Sequence, residues 1–363
     1  MDNNEAPQIV SPTATWPTPP PPSDDATNPF IGRFGLRAVW GILIYIALFV
    51  AISFALNVAI RLAEGKSVFP KHAQSTAAKA SPAKQPDSDV GARGTIIGDG
   101  SGFLAIALVS WILCRIERRR FRVYGIGRNR LRDFLPGAFW GFACLSLLVG
   151  VLRATHVLVF DGRALTGSAI LTFGATWLLA FLCVGLTEEY LTRGYLQYTL
   201  TRGFFTLAER ISPTHARAIA FWAAAVFMSC LFGVGHLFNP GESAPGITAV
   251  FLAGMVFSYA LWYTGSLWWA IGFHMAWDWS QSFLYGVPDS GFLSAGRLFN
   301  THPTGNPLLS GGTTGPEGSV YVLPTLLLVV LIVRFTTRPG AQPELEPLPK
   351  PHSLPPETSA VIA

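Results

Sequence analysis

Charged residues are scarce in this chain. Asp, Glu, Lys and Arg make up 13% of its 363 residues, while 50% are hydrophobic. A soluble globular domain carries about 25% charged residues. The shortfall excludes an ordinary soluble fold and points to a polytopic membrane protein. Cysteine is rare too. Cys114, Cys144, Cys183 and Cys230 each lie within or beside an apolar run, and none is in a C-x-x-C spacing. They read as four buried small hydrophobes, not as a disulfide framework or thiolate metal site. The Gly-x-Ser-x-Gly turn, the P-loop, the dinucleotide glycine fingerprint and His-Glu-x-x-His are all missing, which sets aside nucleotide chemistry and an ordinary zincin. The first 30 residues hold the Pro17 to Pro22 stretch and no apolar core, so the first span is expected to act as an uncleaved signal. The net charge of +5 does not argue for nucleic acid, because the basic residues gather beside apolar spans.

What is present is a series of apolar runs. They predict an all-α polytopic membrane protein with about eight transmembrane helices: 36–62, 95–116, 134–157, 169–200, 218–238, 247–263, 267–284 and 320–333. The last is short for a hydrocarbon core of ~30 Å. Residues 1–32 read as a disordered tail, 33–164 as accessory spans with a flexible loop at 64–95, and 286–335 as a loop and the last span. Residues 336–363 read as a Pro-rich disordered tail. The most basic loop runs from Arg115 to Arg132, and the positive-inside rule puts it, with both termini, on the cytoplasmic side. A short amphipathic helix is expected near Phe204–Ile211. No internal repeat of the kind that builds transporters stands out.

Few ionisable residues remain inside the spans once loops and span ends (Arg61, Asp99, Arg153, His156) are set aside. They are Glu188, Glu189 and Arg193 in the fourth, His236 in the fifth, and His274 and Asp278 in the seventh. A charged side chain mid-membrane costs ~2.5–3.5 kcal/mol on insertion scales. Acids and histidines on three helices, with no water to turn to, are expected to share one polar site. Glu189 and Arg193 are one turn apart and can pair, as can His274 and Asp278. Glu188 is about 100° from Glu189 and free to meet something else. Phe273, Trp268, Trp269, Trp277 and Trp279 can supply apolar walls, with Trp268 and Trp269 better placed for an interfacial belt. Gly233 and Gly235 would let a neighbouring helix approach His236 closely.

Two chemistries are open to Glu, His, His and Asp. A carboxylate in an apolar pocket can take a proton from water while histidines stabilise the oxyanion on a peptide carbonyl. Alternatively His236, His274, Glu188 and Asp278 can hold zinc or another divalent metal. Both end in peptide hydrolysis. For the shared site to form, the fourth helix must run on through the motif, over about Leu171–Leu200, because Glu188 otherwise falls near the opposite membrane face from His236.

Glu-Glu-x-x-x-Arg (188–193), Phe-x-x-x-His (232–236) and His-x-x-x-Asp (274–278), in that order on successive spans, resemble the CPBP family of intramembrane proteases, also called the Abi or CAAX-protease family. The resemblance covers about 165–285 and implies a core four-helix protease bundle in a bacterial-type plasma membrane. It implies Glu188 as the carboxylate that activates water, with Glu189 and Arg193 in support. His236 would act on the water or a metal, His274 would be the second histidine, and Asp278 the oxyanion-side or ligand position. The best-known members have Asn at that last position. An ionised Asp cannot donate to an oxyanion, which favours metal ligation or the orienting of His274. The implied substrate is a membrane-anchored or membrane-embedded peptide or protein. The rival readings are a proton-coupled transporter and a non-catalytic membrane immunity or scaffold protein.

Overall fold

The computed structural model describes residues 28–67, 89–340 and 345. The expected tails therefore lie largely outside the described residues, as does most of the 64–95 loop. Two short strands, β1 (Ile31–Gly32) and β2 (Gly35–Leu36), form a hairpin before α1 (Ala38–Ala63). Then follow β3 (Asp89–Val90), α2 (Ala92–Ile116), an arm of two 3-10 turns over 121–133, α3 (Phe134–Ala154) and β4 (Leu158–Arg163). Next comes α4 (Ser168–Glu189), which passes through a π turn (Tyr190–Leu196) into α5 (Gln197–Ile211). α6 (Ala216–His236), α7 (Ala244–Thr264) and α8 (Trp268–Trp279) complete the bundle, and α8 ends in a second π turn (Ser280–Leu284). A folded cap holds β5 (Leu293–Ser294), β6 (Phe299–Pro303) and α9 (Pro307–Ser310), and leads to α10 (Val322–Thr336).

Among the described residues, six helices are long and apolar enough to cross a membrane, and Val322–Thr336 is a shorter apolar one. The seventh expected span is a 12-residue helix extended by the five-residue π turn. Bulky apolar side chains cover the outside of the spans, Val39, Phe54, Leu135 and Leu171 among them. Outside a membrane such a surface would aggregate; within one it faces acyl chains. The fourth helix does not stop at its charges. It continues unbroken over 44 residues, Ser168–Ile211, about 66 Å at ~1.5 Å per residue, so the condition for a shared site is met. Its last part, α5, is the amphipathic segment expected near Phe204.

α3 and α8 make the closest helix contact. A Cβ at Gly137 would sit 2.1 Å from Trp269 O, and one at Gly141 2.2 Å from Phe273 O. From the other side, a Cβ at Gly272 would lie 2.2 Å from Phe134 O. These distances are well inside van der Waals contact, so the backbones touch only because all three residues lack a side chain. Gly141→Ala is expected to push α3 off the helix that carries His274, destabilising the protein by ~1–3 kcal/mol or more as overpacked cores do. Thermal unfolding in detergent checks it; an unchanged Tm would show that the contact is softer than described.

The bundle differs from expectation in two places. Trp269 is buried, not interfacial, and stacks on Phe273 at 5.2 Å, while Trp268 donates through Nε1 to Gly127 O at 3.1 Å. Burial takes Trp269 out of an outer belt, whereas Trp268 stays half-buried beside the 121–133 arm, where an interfacial place remains open to it. Gly233 faces Ile247 of α7, but a Cβ on Gly235 would meet nothing within 4 Å, so Gly235 opens no helix contact.

The loop after α8 is an ordered cap. β6 pairs antiparallel with β4, and β5 pairs parallel with β3. Trp177 of α4 donates to Ala295 O at 2.9 Å. At Gly291, φ is +84° and an added Cβ would lie 1.9 Å from Pro240 O, so the cap tip fits the α6–α7 turn only with glycine there.

Candidate active site

α4, α6, α7 and α8 surround a cavity of about 680 Å³ that the cap covers at one end and α2 flanks on the side. Its apolar walls are Trp177, Phe181, Phe232, Phe257, Phe273 and Trp277. Of the tryptophans expected to line it, Trp277 does so. Glu188, His236, His274 and Asp278 all open onto it.

The order of the site comes from His274. Its Nδ1 lies 3.0 Å from Glu189 Oε1. Its Nε2 lies 3.7 Å from Glu188 Oε2 and 3.4 Å from Asp278 Oδ2. One imidazole thus faces both carboxylates of the Glu-Glu pair. Glu189 is fully buried, whereas the Glu188 side chain keeps 31% of its surface exposed to the cavity. Glu189 is enclosed in protein, whereas Glu188 opens onto the cavity.

Glu189 is paired with an arginine of its own helix. Arg193 Nη1 donates to its Oε1 at 3.0 Å, an i, i+4 pair with neither side chain more than 1% exposed. The same Nη1 donates to Thr192 Oγ1 at 3.0 Å, and the Thr192 hydroxyl donates to Glu188 O. The guanidinium lies 4.4 Å over the Phe232 ring, with Phe257 5.7 Å away. Phe257 in turn stacks on His274 at 5.7 Å. The Phe of the Phe-x-x-x-His motif therefore packs on the motif arginine as well as edge-on to His236, 4.6 Å from its ring. The π turn, which opens one residue past Glu189, is the kind of helix irregularity that recurs at functional sites.

His236 stands apart from this network. Its Nδ1 donates to Phe232 O at 2.8 Å, because a carbonyl can only accept. In the neutral ring Nε2 then carries the lone pair, ready to accept from water. Among the described residues, no three His, Cys, Asp or Glu side chains converge in a way that could hold a metal ion. His236, His274, Glu188 and Asp278 share the cavity without forming a chelating set.

Other acids reach the cavity from segments outside the three motifs. Asp99 of α2, set aside above as a span-end residue, lines the cavity, and its carbonyl accepts from Thr187 Oγ1 at 2.8 Å. The cap contributes Asp289, which accepts from Ser282 Oγ at 3.0 Å, and Glu317, which accepts from the Ser290 amide. No spacing rule links these to 188–278; only the fold of the cap does.

Burial pushes Asp289 up from 3.8 to about 6, against the opposing bond from Ser282. Burial, then the charge of Asp289, pushes Glu317 up from 4.5 to about 8. Both groups are therefore favoured in their acid forms when the cap is folded. That stabilisation is full below the unfolded values and is lost as pH rises, through about 6 for Asp289 and about 8 for Glu317. The cap should loosen between about pH 4 and pH 8. Amide exchange of peptides within 286–318, corrected for intrinsic rates, should show this step, and Glu317→Gln should remove its upper part. A flat profile in the wild type would refute it.

In a bundle of membrane-type helices, the three motifs thus open onto one aromatic-walled cavity. Residues 170–280 match the family model described as type II CAAX prenyl endopeptidase Rce1-like. The resemblance carried by the three motifs is thereby borne out, and the matched stretch runs from the start of α4 to the end of α8. Searches of curated proteins and of solved structures give no match.

Proposed function

We propose that this protein is an intramembrane endopeptidase in which Glu188 activates water and His274 meets the oxyanion. The observation that carries this reading is the two-sided engagement of His274, with Nδ1 on buried Glu189 and Nε2 toward Glu188 and Asp278. A water between Glu188 and His236 Nε2 gives its proton to the Glu188 carboxylate. The resulting hydroxide attacks the carbonyl carbon of a peptide bond, and the C=O electron pair moves onto oxygen. His274, protonated at Nε2, donates a hydrogen bond to that oxyanion. Asp278 keeps Nε2 aligned, a positioning role that an ionised carboxylate can fill although it cannot donate. Collapse of the intermediate expels the amine, which takes its proton from Glu188. Glu189, fixed by Arg193, holds the other face of the imidazole throughout.

Glu188, His236, His274 and Asp278 are also the residues that would ligate zinc or another divalent cation in a metal-assisted route, although among the described residues they do not form a chelating set. The substrate is a membrane-associated peptide or protein that reaches the aromatic cavity. The test is cleavage of a membrane-anchored peptide by the purified protein in liposomes made in H₂¹⁸O. One ¹⁸O in the new carboxyl terminus supports water attack; no new terminus at any pH between 5 and 9 overturns the reading. A parallel arm with a divalent-metal chelator separates the two routes. Activity is expected to persist, and its loss, with recovery on adding zinc, would replace the metal-free route.

A further inference from the structure

The end of α2 and the arm that leads from it to α3 carry eight arginines between 115 and 132 and two acids up to 133. Both acids are already engaged. Glu117 is buried and accepts from Arg119 Nε and Arg202 Nη1, each at 3.2 Å, as well as from the Leu36 amide at 3.1 Å. Asp133 accepts from Arg130 Nε at 2.7 Å. Arg115, Arg118, Arg120, Arg122, Arg128 and Arg132 are left exposed on one end of the bundle. At Arg118 φ is +53°, so the chain turns out of α2 there and directs the following arginines across the surface.

Exposed apolar side chains lie among these arginines in the sequence, and one of them is in contact with Arg115. The Arg115 guanidinium lies 5.6 Å over the Trp111 ring, and Trp111, Ile116, Leu131 and Leu135 are all at least half exposed. The arm joins the ends of two spans, so this surface sits at the level where headgroups meet acyl chains. A tryptophan under an arginine, with bare leucines and isoleucine beside them, places cations at phosphate depth and hydrocarbon below.

We infer that the 115–132 arm is a docking surface for anionic phospholipid headgroups of the leaflet it faces. The partner is a lipid phosphate carrying net negative charge, such as phosphatidylglycerol. The arm is a rigid platform for it. Buried Glu117 ties its root to Arg202 of α5, and Gly125 O and Gly127 O accept from the Leu267 amide and Trp268 Nε1 at the start of α8, at 2.9 and 3.1 Å. A lipid seated there touches the segment that leads into the His274 helix. Guanidinium groups match phosphate oxygens in geometry and charge, and each basic residue at an anionic surface is worth about fivefold in association.

Electron spin resonance on the full-length protein in liposomes tests this, with spin-labelled phosphatidylglycerol compared with spin-labelled phosphatidylcholine. The motionally restricted fraction should favour the anionic lipid severalfold at low salt, and the preference should shrink in 1 M NaCl. A quadruple variant, Arg118→Gln, Arg120→Gln, Arg122→Gln and Arg128→Gln, should lose most of the preference. The matching quadruple Lys variant should keep it, which separates lost charge from misfolding. Equal restriction of both lipids in the wild type overturns the proposal, as does a preference that survives the Gln variant. Selective retention of RNA or an acidic protein by the wild type, with no lipid preference, would assign the surface to a different partner and overturn it too.

Discussion

Glu188→Gln is expected to lower kcat by ~10²–10⁴ while leaving the protein folded and inserted. The side chain is the exposed member of the Glu-Glu pair, and its nearest charged partner, His274 Nε2, is 3.7 Å away. An amide of the same shape keeps the packing but cannot take a proton from water. The amide carbonyl still accepts from neighbours, so Tm should hardly move. Glu189→Gln should behave differently. It removes the charge that Arg193 neutralises at 3.0 Å and the acceptor of His274 Nδ1, so activity and stability should fall together. Steady-state cleavage beside thermal unfolding checks both. A Glu188→Gln protein that cuts at the wild-type rate would remove Glu188 from the chemistry.

The second large effect concerns Arg193. Arg193→Ala leaves Glu189, fully buried, as an unpaired charge, and breaking a buried pair from one side costs ~3–5 kcal/mol. It also strips the cation from over Phe232 and the donor from Thr192. Low yield, a lowered Tm and no activity are expected. The double variant Glu189→Gln with Arg193→Met is the informative control. With both charges of this pair removed, most of the stability should return, whereas activity should stay low because His274 Nδ1 has lost its carboxylate. If the double variant regained full activity, the pair would be scaffold alone. If Arg193→Ala were as stable as wild type, the burial described here would be wrong.

The legible part of this protein was the part written in short spacings. Glu189–Arg193 and His274–Asp278 are i, i+4 pairs, and an apolar helix gives them no other direction to satisfy their charge. The spans followed from composition in the same way, and the unbroken passage of the fourth helix through its motif was required before it was seen. The engagement of His274 by both glutamates was not legible. Residues about 100° apart on a regular helix do not point one way; they meet here because a second helix offers two ring nitrogens at once. Asp99, Asp289 and Glu317 were hidden for another reason. They sit in a span end and in a loop rich in Gly, Pro, Ser and Thr, where polar residues need no explanation until long-range strand pairing folds the loop over the cavity. Gly137-x-x-x-Gly141 is a sequence sign of close helix contact, but nothing in it names α8 as the neighbour.

The π turn at Tyr190–Leu196 carries a meaning in phase. It amounts to one residue more than a regular helix needs, so everything after it is rotated by about 100° relative to everything before. Upstream are Glu188 and Glu189; downstream is Arg202, whose Nη1 reaches Glu117 at 3.2 Å and Phe34 O at 2.7 Å. Deleting one residue between Gly194 and Leu196 would leave every letter of the Glu-Glu-x-x-x-Arg motif in place. It would nevertheless swing Arg202 off Glu117 and unseat the root of the arginine-rich arm. The count of residues in this helix, as much as their identity, keeps the membrane-surface end of the molecule in register with its chemical centre.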